Sequence, residues 1–456
     1  MKATRCCFVL GLLMSTALLK ADYVPIEEIC VGVSGNQVRP DIDGDIVIWE
    51  DGLDVYWLSL SDPNKVQHSI VIGGIQDYAS VGGQSIVWRD KNTDYDIGIY
   101  DVQSDTNWIL SSNDGATQRY PEASAQYIIC EDNSGESYNV AVYDDQTDAF
   151  VRIAQSSALQ TNLAIDGSLA VWRDDRDNTR QIYLCDLSVT PYAPHLVCAS
   201  DFEQWRPAIS GNIVVWQDHA ADPDINLVAY DISRQEIVWS NTETTEQTYP
   251  SISNGIIVWQ ERPVGSTNGY DIRGYDLNTG AWLDIATGNE DDQMPVISGR
   301  MVVWQRNGTD IVGVTIPTPM ALVVTTPNDS EQFLAGSQMT IAWEMTEGTL
   351  PDEVKIEFSS DNGQSWQVVE PNVPADVPYT WKPVADVDSQ QCKIQVSAVG
   401  DAAVYDVSEV FTVFQCSHKL TADVTGDCVV DMNDFAVLAS QWMACGNPYD
   451  ENWCFE

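Results

Sequence analysis

One segment of this sequence places oxygen-bearing residues at the spacing a hard cation requires. Asp423, Thr425, Asp427, Asp431 and Asp434 occupy positions 1, 3, 5, 9 and 12 of a twelve-residue stretch, and the carbonyl of Val429 occupies position 7. Calcium is held by six to eight oxygens in a flexible cage, and a loop of this length supplies them at those positions. The stretch therefore predicts a calcium site, with Val430 as the apolar plug at position 8. The residues from Phe435 to Met443 follow with helical periodicity, and Phe435, Leu438, Ala439 and Trp442 fall on one face. That face is either a small core or a docking surface.

A second set of polar residues recurs through the first two-thirds of the chain. Gln37, Gln76, Gln118, Gln160, Gln204 and Gln247 each precede an apolar strand residue by five positions, and Gln293 does so by four. Acidic clusters accompany them at Glu50 and Asp51, Asp90, Glu131 and Asp132, Asp174, Asp175 and Asp177, and Asp218, Asp222 and Asp224. Two roles are open. The amides and carboxylates could ring an opening that binds a cation, a glycan or a basic peptide, or they could satisfy backbone groups and close turns locally. Metal chemistry based on histidine is disfavoured here, because His68, His195 and His219 are not at ligand spacing, and no nucleophile motif accompanies them.

These residues sit in a repeat. Segments such as DIVIWED, QSIVWRD and NIVVWQD place an anchor at Trp49, Trp88, Cys130, Trp172, Trp216, Trp259 and Trp304. Each unit carries four β-rich runs separated by Gly, Asn, Asp and Pro turns. A small twisted sheet cannot bury both faces alone, so four-stranded units at this period must stack in a closed ring. The expectation is a mainly β chain whose residues 22–318 form a seven-bladed β-propeller. The seventh unit has only three clear strands, and the orphan run from Glu28 to Ser34 is expected to supply the fourth and close the ring. The first strand's start and the turn after the second strand share one face, so the glutamines are expected to ring the channel mouth. The tryptophans are expected to pack between blades. Cys185 and Cys198 flank a turn-like stretch and are placed to bridge two strands of the fourth blade.

The repeat resembles that of TolB-type propellers, in which an apolar strand ending in Trp or Phe leads through Asp-rich turns to a strand like DIRGYD, Asp271 to Asp276. The resemblance implies the fold, while such propellers serve scaffolding, binding and catalysis alike. Past Pro317, Thr318 and Pro319, seven short strand-like runs predict a β-sandwich over 319–415. That segment looks like an immunoglobulin-like module, through TTPNDSEQFLAGSQMTIAW and CKIQVSA. Ser359, Asp361, Gly363, Ser365 and Trp366 match the Asp-box of sialidases in a single copy, which implies a hairpin turn. Residues 416–456 resemble a type I dockerin repeat, which implies calcium and a cohesin-like or cell-surface partner. The segment departs from that pattern with Thr425 for Asn, Cys428 for a turn glycine, and one repeat in place of two.

Lys2 and Arg5 precede an apolar run from Cys6 to Leu19, followed by Ala21, the order of a secretory signal peptide over 1–21. No other stretch approaches twenty apolar residues, so no transmembrane segment is expected after cleavage and a secreted or cell-surface location is. Removal of the leader leaves nine cysteines; Cys416, Cys428, Cys445 and Cys454 allow three pairings. Sixty-eight acids against 22 bases give a net charge of −46, which excludes nucleic acid as a natural partner. The expected function is a secreted interaction protein whose propeller binds a glycan or protein. The alternative is a polysaccharide-degrading propeller enzyme carried by the same tail, since distant blades could bring two carboxylates together.

Overall fold

The computed structural model describes residues 26–440 apart from the short segments 31–34, 92–94, 111–114, 155, 177–178, 222–223, 242, 319–320, 329, 348–350, 382–386, 400–403 and 417–420. The leader, Trp442, Cys445, Cys454, Asp177 and Asp222 lie outside the described residues, as does the side chain of Asp224. Two compact units meet between Pro317 and Thr318. Among the described residues no helix is long and apolar enough to cross a membrane.

The first unit consists of seven four-stranded antiparallel sheets. Each is built in chain order, from Gln37–Asp43, Ile46–Asp51, Asp54–Ser59 and His68–Ile70 in the first blade to Thr245–Ser253, Ile256–Pro263, Asp271–Asp276 and Ala281–Ala286 in the sixth. The seventh joins Asp292–Ser298, Met301–Arg306 and Asp310–Thr315 to Glu27–Glu28, whose residues pair with Gly313 and Val312. The N-terminal run therefore completes the last blade, although its paired segment begins one residue earlier and is shorter than the pattern implied. Ile29 continues the contact through its N–H to the Ile311 carbonyl at 3.1 Å and is buried against Trp49 and Val303. Consecutive first strands neighbour one another, and Asp292–Ser298 neighbours Gln37–Asp43, so the first strands line the axis of a closed ring.

The core lies between blades. Six of the seven anchors are tryptophans no more than 1% exposed, and Cys130 fills the seventh place at 1%. Trp88 packs with Ile48, Val55 and Ile70 of the preceding blade, as a strand that buries alternate side chains on both of its faces requires. Its ring also lies over Gly98, its partner in register, where an added Cβ would come within 2.0 Å of the indole. Cys185 is a free, buried thiol, so the expected bridge to Cys198 is absent, and the third strand of that blade is held by its pairing with Leu169–Asp174 and His195–Leu196 and by packing.

The second unit contains a three-stranded sheet of Ala321–Thr326, Met339–Glu347 and Tyr379–Trp381. Facing it is a larger sheet of Gln332–Leu334, Phe411–Phe414, Ser389–Ala398, Glu353–Ser359 and Gln367–Pro374, with Tyr405–Val407 alongside. Ile341, Trp343, Ile356, Phe358, Ile394 and Phe411 share one core between them. The Ser359 to Trp366 motif forms a hairpin turn: the Gly363 N–H donates to Ser359 Oγ at 2.8 Å and the Ser365 N–H to Asp361 Oδ1 at 2.9 Å. The helix at the end runs over Met432–Ser440, three residues earlier than its apolar periodicity suggests. A capping box sets its start: Asp431 accepts the Asn433 N–H at 2.7 Å, while Asp434 accepts the Asp431 N–H at 2.8 Å.

Candidate functional site

The front face of the propeller is the end where first strands begin and where second strands turn into third strands. Gln37, Gln76, Gln118, Gln160, Gln204 and Gln247 lie there, but each is at most 1% exposed. Three of them are latches between blades. Gln76 Oε1 accepts the Val55 N–H of the preceding blade at 3.2 Å, Gln160 Oε1 that of Val140 at 2.9 Å, and Gln204 Oε1 that of Ile182 at 3.0 Å. On the other side of the amide, Gln118 and Gln160 donate to Asp132 and Asp174 within their own blades, at 2.8 and 2.9 Å. The glutamines expected from the sequence to bind a ligand are thus buried, because side chains at these positions are enclosed by the preceding blade.

Gln293 is not the seventh member. Register puts Asp292 opposite Arg306, where the other blades pair Gln with Asp or Glu, as Gln37 with Asp51 and Gln247 with Glu261. Asp292 is 4% exposed and holds Arg306 through two oxygens, at 2.7 and 3.1 Å, and Trp304 Nε1 at 2.8 Å. Several of the acids expected around the mouth are similarly enclosed. Asp174 and Glu261 accept the indole N–H of Trp172 and Trp259, at 3.2 and 2.9 Å, and Asp132 binds Arg152 at 2.8 Å where Cys130 offers no indole.

Two residues beyond each of these register positions the first strand bulges, and the residue there adopts left-handed backbone: Arg39, Tyr78, Tyr120, Asn162, Arg206, Tyr249 and Met294, with φ from 46° to 55°. Each is half-buried at the channel mouth. A non-glycine residue in this region needs compensation from its surroundings. The preceding blade provides it through the residue after the anchor: Glu50 Oε1 accepts the Tyr78 N–H at 2.5 Å, Gln217 Oε1 that of Tyr249 at 3.3 Å, Gln260 Oε1 that of Met294 at 2.8 Å, and Gln305 Oε1 that of Arg39 at 3.3 Å. Proline follows five of these seven residues, at Pro40, Pro121, Pro207, Pro250 and Pro295. That recurring X-Pro step disfavours right-handed helical backbone before it and was the available sequence signal for the bulge.

Neighbouring members of this ring touch. Tyr78 and Tyr120 meet edge to face at 4.4 Å, the Arg39 guanidinium lies 4.2 Å from the Tyr78 centroid, and that of Arg206 lies 4.1 Å from Tyr249. Arg89 adds a second layer over Tyr78 at 4.6 Å, and Arg119 lies 3.5 Å from Tyr138. Most of these cations are neutralised: Arg39 by Glu50 at 2.9 Å, Arg89 by Asp77 at 2.5 Å and Arg119 by Glu131 at 2.9 Å. Of the thirteen arginines between residues 27 and 317, Arg234 and Arg300 sit in turns of the opposite face, and the other eleven lie at or beside the front one.

Below the ring, the next channel-lining positions are Asp41, Ser80, Glu122, Ala164, Ala208, Ser251 and Val296. Asp41 and Glu122 flank Ser80 on consecutive blades. Both lie deep in the propeller while keeping partial contact with the channel. Burial pushes Asp41 up to about 6, against the Val81 and Ile42 N–H groups that favour its charge. Burial and the neighbouring Asp41 charge push Glu122 up to about 8. Glu122 is therefore largely a neutral acid at pH 7, and Asp41 largely a carboxylate.

The C-terminal loop gathers Asp423, Asp427 and Asp434, with one oxygen of each within 4.8 Å of the others. Asp423 Oδ1 accepts the Gly426 and Asp427 N–H groups at 2.6 and 3.1 Å, and its Oδ2 accepts that of Cys428 at 2.9 Å. Asp434 Oδ1 accepts the Val424 and Thr425 N–H groups at 2.8 and 2.9 Å, which with the Asp431 N–H hold its acid down to about 2. Its cover is thin. Asp434 is 1% exposed, yet beneath a single loop and not within a core, so desolvation opposes ionisation weakly. Thr425 Oγ1 donates to Asp434 Oδ1 at 2.9 Å, and Asp431 is exposed at the helix cap instead of joining the cluster. Val429 is exposed, and its N–H donates to Asp427 Oδ1 at 2.9 Å. Cys428, in the place of a turn glycine, takes a left-handed φ of 71° and is tied to Cys416 by a disulfide. Three converging carboxylates with no neighbouring cation among the described residues suit a divalent metal. Phe435 and Leu438 stay 59% and 47% exposed, so the face read as either a core or a docking surface is open among the described residues.

No protein-family model matches the chain, and no curated protein is similar to it in sequence. Among solved structures, the propeller domain of the Trilobed protease from Pyrococcus furiosus is similar over 60% of this chain and 89% of that one, at 10% identity and a TM-score of 0.45. A puromycin-hydrolyzing peptidase of Mycobacterium tuberculosis is similar over 59% of this chain and 48% of its own, at 10% identity and a TM-score of 0.46. A protein described as TolB from Agrobacterium tumefaciens is similar over 45% and 81%, at 14% identity and a TM-score of 0.35. The fold and the blade count rest on the strand pairing.

Proposed function

We propose that this chain is a secreted or cell-surface binding protein whose propeller mouth is the ligand platform and whose C-terminal loop is a calcium-stabilised attachment module. The observation that carries the reading is the ring of seven left-handed residues. Its backbone is fixed by latches from the preceding blade, and it holds three tyrosines and two arginines at the channel mouth. Rigid aromatic and guanidinium groups bind at low entropic cost, because little side-chain freedom remains to be lost. Calcium would be held by Asp423, Asp427 and Asp434, the carboxylates the loop brings together. It would offset their mutual repulsion and order the loop against its helix. The exposed Phe435 and Leu438 suit contact with a cohesin-like or other surface partner. A glycan-array screen of the full chain and of a Tyr78→Ala, Tyr120→Ala, Tyr249→Ala variant tests the platform: binding lost in the variant supports it, and binding unchanged overturns it.

A second reading, hydrolysis of a polysaccharide, is favoured by Asp41 and Glu122. Two carboxyls with separated proton affinities in one channel suit an acid and a base. Release of reducing ends that disappears in Glu122→Gln would support it. Absence of any release by the wild type across polysaccharide substrates would leave binding as the function.

A further inference from the structure

We infer that the channel mouth selects an acidic saccharide, with Arg206 receiving a sugar carboxylate and Tyr249 receiving the sugar's apolar face; this rests on the platform reading above. The charge pattern points there first. In a chain of net charge −46, Arg206 is a half-buried mouth arginine with no carboxylate partner among the described residues, its guanidinium lying over the Tyr249 ring at 4.1 Å. Arg39, Arg89 and Arg119 on the other side of the ring are each paired within 2.9 Å. Beneath Arg206 the channel wall is Ala164, Ala208 and Ser251, which carry no charge to compete for it. A guanidinium held over a ring offers its remaining donors as a planar fork, which matches a carboxylate.

The backbone argues against an extended peptide as the occupant. The inner edges of the first strands would have to lend N–H groups to a peptide strand. Those groups are already taken across the blade junctions: Val81 donates to Asp41 at 2.9 Å, Tyr249 to Gln217 at 3.3 Å and Met294 to Gln260 at 2.8 Å. At the strand ends the same holds, with the Gly299 N–H on Ser253 Oγ at 2.9 Å. What the mouth leaves available among the described residues is side-chain chemistry of two kinds, flat aromatic faces and the unpaired Arg206 guanidinium, which together match a uronic acid more closely than a main chain.

Calorimetric titration of the full chain with a defined-length oligogalacturonate, a neutral galactan of equal length and poly-glutamate tests this. The oligogalacturonate is expected to bind, to weaken with salt, and to lose ten- to a hundred-fold in affinity in Arg206→Gln, with partial recovery in Arg206→Lys. Arg234→Gln, in a turn of the opposite face at 68% side-chain exposure, is expected to leave binding unchanged. A thermal midpoint unchanged in each variant separates lost binding from lost folding. Should Arg206→Gln fail to fold, Tyr249→Ala and Arg206→Lys carry the same comparison. Equal binding of the galactan, or uronate binding indifferent to Arg206 yet lost in the triple tyrosine variant, overturns the acidic-saccharide inference and leaves the platform standing. Poly-glutamate binding as tightly and with the same dependence on Arg206 overturns it in favour of an acidic peptide. Binding of none of the three probes overturns this inference, and an empty glycan array alongside overturns the platform as well.

Discussion

Carboxyl groups meet opposite fates in the two units. Asp434 is held down to about 2 in a loop of a few residues, whereas Glu122 is pushed up to about 8 in the middle of a large propeller. Neither difference comes from residue type. Asp434 accepts three backbone N–H groups and a hydroxyl from its own loop, so its charge is solvated by the chain that carries it. The blade around Glu122 has committed its backbone donors to sheet pairing, leaving Ser80 as its hydrogen-bond partner and Asp41 as a like charge. The loop wraps three backbone donors around Asp434, whereas Asp41 receives two and Glu122 none. The same contrast separates a place suited to a metal from a place suited to holding a proton.

The largest expected effect lies in the loop. Asp434→Ala removes the acceptor that gathers Val424, Thr425 and Asp431, and calcium affinity measured by titration of the full chain should fall at least about a hundred-fold. An unchanged affinity would show that the loop's shape does not depend on this carboxylate.

In the propeller the sign reverses. A folded pKa above the unfolded value of about 4 means that Glu122 and Asp41 bind protons more tightly in the folded state. Their contribution is full below about pH 4 and is lost as pH rises through about 6 and about 8. The propeller's stability should therefore fall between pH 5 and 8.5 by an amount on the order of 2 kcal/mol, after allowance for channel water, and its thermal midpoint with it. Glu122→Gln should flatten that slope and raise the midpoint at pH 8.5 by about 2–4 °C; a parallel slope in the variant would refute the assignment.

Smaller effects distinguish a latch from its neighbour in sequence. Gln160→Leu removes bonds to both Val140 and Asp174 at a junction with no exposure, and should cost about 1–3 kcal/mol in denaturant unfolding. Gln293→Ala, beside Asp292, which takes the register position of the glutamines, should stay within about 0.5 kcal/mol. Equal costs at the two sites would return Gln293 to the ring and break the register argument.

Much of the fold was legible because it is periodic. The seven Trp or Cys anchors mark strands whose burial is dictated by neighbours of the same kind, and the orphan N-terminal run could be assigned because one blade lacked a strand. The twelve-residue loop was legible because its spacing is local, although Asp431 turned out to cap the helix. The glutamines misled because recurrence marks a shared environment without saying whether that environment is a surface or a seam. Arg39, Tyr78, Tyr120, Asn162, Arg206, Tyr249 and Met294 were missed because they differ in type and share only a backbone conformation, hinted at by the prolines that follow five of them.

By itself the sequence determined the number of blades, the closing strand and the order of carboxylates in the loop, all of which depend on spacing along one chain. Only the tertiary structure decided that Gln160 is sealed in a junction while Arg206 stands at the mouth, and that Asp41 and Glu122 meet around Ser80. Those outcomes depend on which side chain of one blade falls opposite which backbone group of the next, and a register between separate sheets leaves no periodic mark in either.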